Sequence, residues 1–231
     1  MLHRGELYLS DTYSIDSARL QSLINFINLS TTTVDSLLKR PIKKLKVFAD
    51  KRDGSAVSYP KYHVIQLQLS EDCFSPFIHE YLHLALKDYD EFWFQEGAVT
   101  YLSQYLRHNH KQLLYYCEEN SSWFINRPTN DHNDLVPILD LVSKYSKEEF
   151  LRLLKTKKYE YLTSENIIDF YRISAALCQE IVQQKGIDTF LAIAQSRTFF
   201  DRSIEDKLLE ERIVMDPFME EWTDELPPHP A

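Results

Sequence analysis

At 231 residues and 27.4 kDa, the chain has the length of one large or two small domains and can bury roughly 70% of the surface its unfolded form exposes, so disorder is not the default. Apolar residues make up 44%, charged residues 26% and aromatics 13%, an ordinary globular composition rich in aromatics. The formal charge of −9 opposes a phosphate backbone, and no basic cluster is longer than KRPIKK at 39–44, which sets general nucleic-acid binding aside.

The opening MLHRGELYLSDTYS lacks the apolar stretch of a signal peptide, and no run reaches the roughly 18 apolar residues of a membrane span. The expectation is a soluble cytoplasmic protein with no membrane partner. From Ser17 to Leu38, apolar residues recur at spacings of three and four, which predicts one long or two short amphipathic helices stopped by Pro41. Leu45, Val47 and Phe48 form a short β-prone run. Asp53-Gly54 signals a turn into a second extended segment, residues 63–70, in which Val64 opposes Ile65, Leu67 and Leu69. This alternation predicts a strand with one buried face, placed at a sheet edge.

Ser75-Pro76 reads as a helix cap followed by proline at the first helical position, leading into FIHEYLHLAL. Asp88 and Asp90 end that helix and cap the next, EFWFQEGAVTYLSQYLRH. Beyond about residue 110 no strand is predicted. NDLVPILDLVSKY, KEEFLRLLK, SENIIDFYRISAALCQEIVQQ and DTFLAIAQS all carry helical spacing, Gly186 stands where a C-cap glycine is expected, and PPHPA is a frayed tail. The organisation is therefore α+β. A single domain spans 1–231, with a mixed lobe of small sheet and helices at 1–105 and an all-helical lobe at 106–231.

Four scattered glycines cannot build a phosphate-cradling loop, which excludes dinucleotide and P-loop chemistry. Cys73, Cys117 and Cys178 are odd in number and lack C-x-x-C spacing, so they read as cytosolic thiols rather than a disulfide framework or a cysteine-rich zinc site.

The informative feature is His79-Glu80-Tyr81-Leu82-His83, an H-E-x-x-H inside a predicted helix. Spacing of four puts both imidazoles on one helix face, suited to two ligands of a tetrahedral zinc. Glu80 lies about 100° around the helix and can reach a water at the metal without ligating it. This composition gives ~0.02 chance matches to the pattern; the competing account is two histidines satisfied on an ordinary helix. A catalytic zinc also needs a third protein ligand and an open fourth position. The metzincin positions for it are Leu86 and Tyr89, which excludes that subclass. Thirteen residues after His83 comes Glu96, on the following helix and next to Gly97. A glycine inside a helix costs about 1 kcal/mol relative to alanine, and is tolerated where two backbones or a metal cluster approach closely. The alternative is a surface glutamate followed by an accidental glycine.

The stretch 77–103, FIHEYLHLALKDYDEFWFQEGAVTYLS, resembles the gluzincin metallopeptidases of the peptidase MA-like group, whose signature is H-E-x-x-H, a short spacer, then W-[L/F]-x-E-G. DLVPILDLVS at 134–143, YRISAALCQEIVQQKGIDTFLAIAQ at 171–195 and MEEWTDEL with Trp222 are similar to that family's C-terminal helices, so the resemblance covers roughly residues 44–226. It implies a zincin-like fold with the His and Glu helices flanking a cleft, residues 63–70 as the preceding edge strand, Zn2+ held by His79, His83 and Glu96, and Glu80 as general base. It also implies a Tyr or His donor for the oxyanion. Tyr171 is the choice, with core packing the competing account; His108 and His110 are alternatives, and Arg172 is a candidate for a substrate carboxylate. The pattern is departed from at Thr100, where thermolysin-like enzymes carry an Asp that orients a histidine, and in the absence of G-x-M-E-N.

The expected function is a zinc-dependent peptidase acting on peptide or protein substrates, held by strand addition along 63–70 with side-chain pockets formed by Trp93, Tyr101 or Tyr171. Two alternatives stand beside it: a zincin-fold binding or scaffold protein without turnover, and a structural zinc closed by a fourth ligand such as His108.

Overall fold

The computed structural model describes residues 1–10, 14–50, 56–68, 76–86, 92–115, 145–155, 162–163 and 166–196. The chain divides into two compact units, Met1–Asp88 with Val99–Asp134, and Tyr89–Ala98 with Leu135–Ala231.

The first unit is mixed α+β. Its four-stranded sheet has the order β1-β2-β4-β3, with β1 Gly5–Leu9, β2 Leu45–Asp50, β3 Val57–Tyr59 and β4 Val64–Gln68. β1 and β2 run parallel and are joined through α1, Ser17–Leu38, because parallel neighbours need a crossover that a tight turn cannot supply. α1 is one helix of 22 residues. Asp16 caps it by accepting the Arg19 backbone N–H at 2.8 Å, and Lys39 ends it in the left-handed region at φ 52°. β2 and β4 are also parallel, while β3 is antiparallel to β4.

Alternation decides the faces as the sequence predicts. Leu45, Val47, Ala49, Ile65 and Leu67 are buried, whereas Phe48 and Tyr8 are each 41% exposed and stack on the opposite face at 4.7 Å. The edge placement of 63–70 does not hold. β4 is an inner strand: Val64, Ile65 and Gln66 pair with Lys46, Val47 and Phe48 of β2 on one side and with Tyr59, Ser58 and Val57 of β3 on the other. Strand addition at Val64–Gln66 is thereby overturned, since those backbone groups already serve two ladders; Leu67 and Gln68 pair with β2 alone, and residues 69 and 70 lie outside the described residues. The outer strands among the described residues are β1 and β3. Neither was anticipated. Five- and three-residue strands whose side chains are half-buried or exposed give little periodic signal.

α2, Pro76–Ala85, begins at the expected proline and packs against α1, β3 and β4. α3, Phe92–Asn109, follows, and α4, Lys111–Tyr115, packs against α1. The cap residues Ser75, Asp88 and Asp90 lie outside the described residues, as do Asp53-Gly54, the 134–143 segment, Cys73, Cys117 and Trp222. Cys178 is a buried free thiol whose pKa burial pushes up.

The second unit contains the beginning of α3, α5 (Lys147–Leu154) and α6 (Ile167–Gln195). No strand occurs among its described residues. α5 opens with a reciprocal cap. The Glu149 carboxylate accepts the Ser146 backbone N–H and hydroxyl, both at 2.9 Å, while the Ser146 hydroxyl accepts the Glu149 N–H at 3.3 Å. The Ser146 N–H holds the Glu149 carboxyl below its usual range. Ser146→Ala is expected to cost about 1 kcal/mol, read as a fall in Tm of about 2–4 °C in a thermal melt. In α6, Gly186 separates two helical segments as predicted, but at φ 81°, ψ 163° it is extended with positive φ rather than in the left-handed helical cap conformation. That region is open to glycine alone.

Phe92 stacks on Phe170 at 5.2 Å and Phe94 lies 6.1 Å from Phe190, so aromatic contacts fix the start of α3 on α6. Gly97 completes this packing. A Cβ placed there would lie 2.4 Å from the Ser174 carbonyl oxygen. The close backbone approach that the glycine predicts is therefore present.

Candidate metal centre

α2 is apolar nearly all round, with Phe77, Ile78, Tyr81, Leu82 and Leu84 buried, and a helix so enclosed takes its polar residues inside with it. His79, Glu80 and His83 are 6%, 8% and 8% exposed. Their burial is costly unless the groups meet partners, because desolvation penalises each polar atom left alone. His79 and His83 meet through their Nε2 atoms at 3.1 Å, with the rings 4.8 Å apart and inclined at 75°. Glu96, on α3, is 2% exposed. One ligand atom each from His79, His83 and Glu96 falls within 4.8 Å of the others, and all three residues are buried.

This donor set fits a divalent metal ion. Two nitrogens at about 2.05 Å from one tetrahedral centre stand about 3.3 Å apart, close to the 3.1 Å observed. A buried carboxylate facing two imidazoles also places negative charge where a cation would compensate it. Two histidines and one carboxylate are a borderline donor set that suits zinc and its first-row neighbours better than calcium or magnesium, which take oxygen ligands.

The remaining candidates fall in different places. Glu80 is buried on α2 one residue after the first histidine. Tyr171 is half-buried on α6, one turn before the Ser174 that touches Gly97. Arg172 lies 3.8 Å from Asp169, whose carboxylate also accepts the Tyr145 hydroxyl at 2.9 Å; burial, followed by that bond, pushes the Tyr145 hydroxyl up to about 12. Trp93 and Tyr101 are buried. His108 and His110 are exposed. Twelve residues of helix separate His108 from Glu96, roughly 18 Å along the axis, so His108 cannot close the site as a fourth ligand. Thr100 sits one turn after Glu96, 1% exposed, and its hydroxyl has no hydrogen-bond partner. Other helix hydroxyls, those of Thr31, Thr32, Thr33 and Ser103, bond back to a carbonyl of the preceding turn, whereas the buried hydroxyls of Ser30 and Ser174 make no such bond either.

Behind the histidines, sequence reading missed a polar contact. The Tyr81 hydroxyl donates to Asp35 of α1 at 2.8 Å, and Asp35, 7% exposed, is ion-paired with Arg4. Burial raises the Asp35 carboxyl above its ordinary range, against the lowering exerted by Tyr81 and Arg4. The Tyr81 phenol is raised as well, first by burial and then by the carboxylate it faces. A partner 46 residues away leaves no local pattern by which it could be found.

No helix among the described residues is long and apolar enough to cross a membrane. No protein-family model, curated protein or solved structure matches the chain.

Proposed function

We propose that the protein is a zinc-dependent peptidase of the gluzincin type, with a zincin-like fold, working on peptide or protein substrates in the cytoplasm. The observation that carries this reading is the buried His79–His83–Glu96 group, with Glu80 one residue from its first histidine. His79, His83 and Glu96 would hold the ion and leave a fourth position for water or substrate. When bound, zinc supplies Lewis acidity, lowering the pKa of a water toward about 7 and polarising a carbonyl. Glu80 takes the proton of the attacking water and passes it to the leaving amine, so one carboxylate serves as base and then as acid. Burial of Glu80 strengthens that role, because water competes less for the carboxylate. Tyr171 is the assigned hydroxyl donor to the developing oxyanion.

The test is elemental analysis of protein purified without added metal, together with hydrolysis of an unfolded protein before and after chelation. One zinc per chain is expected, with activity lost on chelation and restored by Zn2+. No metal as isolated and no uptake on reconstitution overturns the reading.

A second reading, a metal-binding scaffold without turnover, is favoured by Thr100. Where an acidic side chain would orient a ligand, this chain has an uncharged hydroxyl that makes no bond. A hydroxamate that binds the metal-loaded protein but no detectable hydrolysis would support the scaffold over the enzyme.

A further inference from the structure

α2 has ten residues, too few to be a stable helix by itself in water, so its orientation depends on what its back packs against. Tyr81 lies two residues from each histidine, about 200° around the helix, on the face turned away from the metal group. Around it, Phe77 stacks on Tyr81 at 5.7 Å and Phe26 meets Phe77 edge-on at 6.3 Å. Such ring contacts favour stacked and edge-on arrangements yet accept a range of offsets and separations, so they restrain a roll of the helix only loosely. The bond from the Tyr81 hydroxyl to Asp35 Oδ1 is directional. Its acceptor is held in turn, since Asp35 Oδ2 is paired with Arg4. A hydrogen bond to a carboxylate is about twice as strong as one between neutral groups.

We propose that Asp35 is a positioning residue for the metal group, acting through Tyr81 to fix the roll of α2 about its own axis; the proposal rests on reading His79, His83 and Glu96 as a metal site. Lever length makes the effect large. An imidazole nitrogen lies roughly 6 Å from the helix axis, so a roll of about 10° moves it by about 1 Å, whereas metal–ligand distances tolerate about 0.2 Å. Both histidines move together, and Glu96, carried on a different helix, does not follow.

The experiment compares wild type, Asp35→Asn and Tyr81→Phe by Co2+ affinity and by the visible absorption of the Co2+-loaded proteins, with denaturant unfolding of the metal-free proteins alongside. Tyr81→Phe removes the donor and is expected to weaken Co2+ binding about tenfold and shift the absorption bands. Asp35→Asn keeps an acceptor oxygen without the charge and is expected to fall between, about threefold weaker. Loss of stability accompanies either variant and does not discriminate; the graded spectrum and affinity do. Folded Tyr81→Phe with wild-type affinity and bands overturns the proposal even if the protein is less stable. If Tyr81→Phe does not fold, Asp35→Asn carries the comparison, and wild-type affinity and bands there overturn it. Failure of wild type to bind Co2+ or Zn2+ is the separate result that removes the metal reading itself.

Discussion

Glu80→Gln is expected to lower peptide hydrolysis by about a hundred- to ten-thousandfold while leaving the metal content of the protein unchanged. The substitution keeps the shape of the side chain, which matters for a residue 8% exposed, and removes its negative charge and with it the ability to take a proton. General-base catalysis by a positioned side chain contributes about 10²–10⁴-fold, so its loss dominates any small change in binding. Metal content should hold because the three candidate ligand atoms come from His79, His83 and Glu96. The measurement is a comparison of the neo-termini that wild type and variant generate in a protein extract, with zinc determined on the same preparations. A variant that cleaves like wild type would show that Glu80 is not the base. If neither protein generates neo-termini although both hold zinc, the scaffold reading stands. The same cleavage map would define the substrate class, because fragments ending inside chains and fragments shortened from their ends are distinguished directly.

Gly97→Ala is expected to destabilise the protein by about 2–3 kcal/mol in denaturant unfolding and to weaken metal binding with it. Two effects oppose each other. Alanine is the better helix former by about 1 kcal/mol. Against that, its Cβ would lie 2.4 Å from the Ser174 carbonyl oxygen and 2.6 Å from the carbonyl carbon. Those atoms are backbone, so no rotamer change relieves the clash, and α3 must move from α6 at the turn that carries Glu96. Shifted by even half an ångström, the carboxylate leaves the range in which a metal accepts it. If the variant is as stable as wild type or more so, propensity has won and the helix contact is softer than the geometry indicates.

What the sequence determined by itself is what local spacing encodes. H-E-x-x-H puts two imidazoles on one face of a helix because the period is fixed at 3.6 residues, and α2 delivers their Nε2 atoms 3.1 Å apart. Gly97, costly inside a helix, announced that another backbone comes close, and Ser174 is that backbone. The alternation of Val64 to Leu67 gave the buried and wetter faces of β4, since successive side chains of a strand point to opposite sides. That pattern was silent on which strands flank β4. Edge or inner position depends on backbone hydrogen bonds in the plane of the sheet, whereas side-chain alternation reports only what lies above and below it. Tertiary structure alone placed β3 along that side, brought Glu96 to the histidines across thirteen residues of chain, and set Asp35 behind Tyr81. Each of these joins residues from separate elements, and a contact of that kind is fixed by how the elements pack, not by the period within either one.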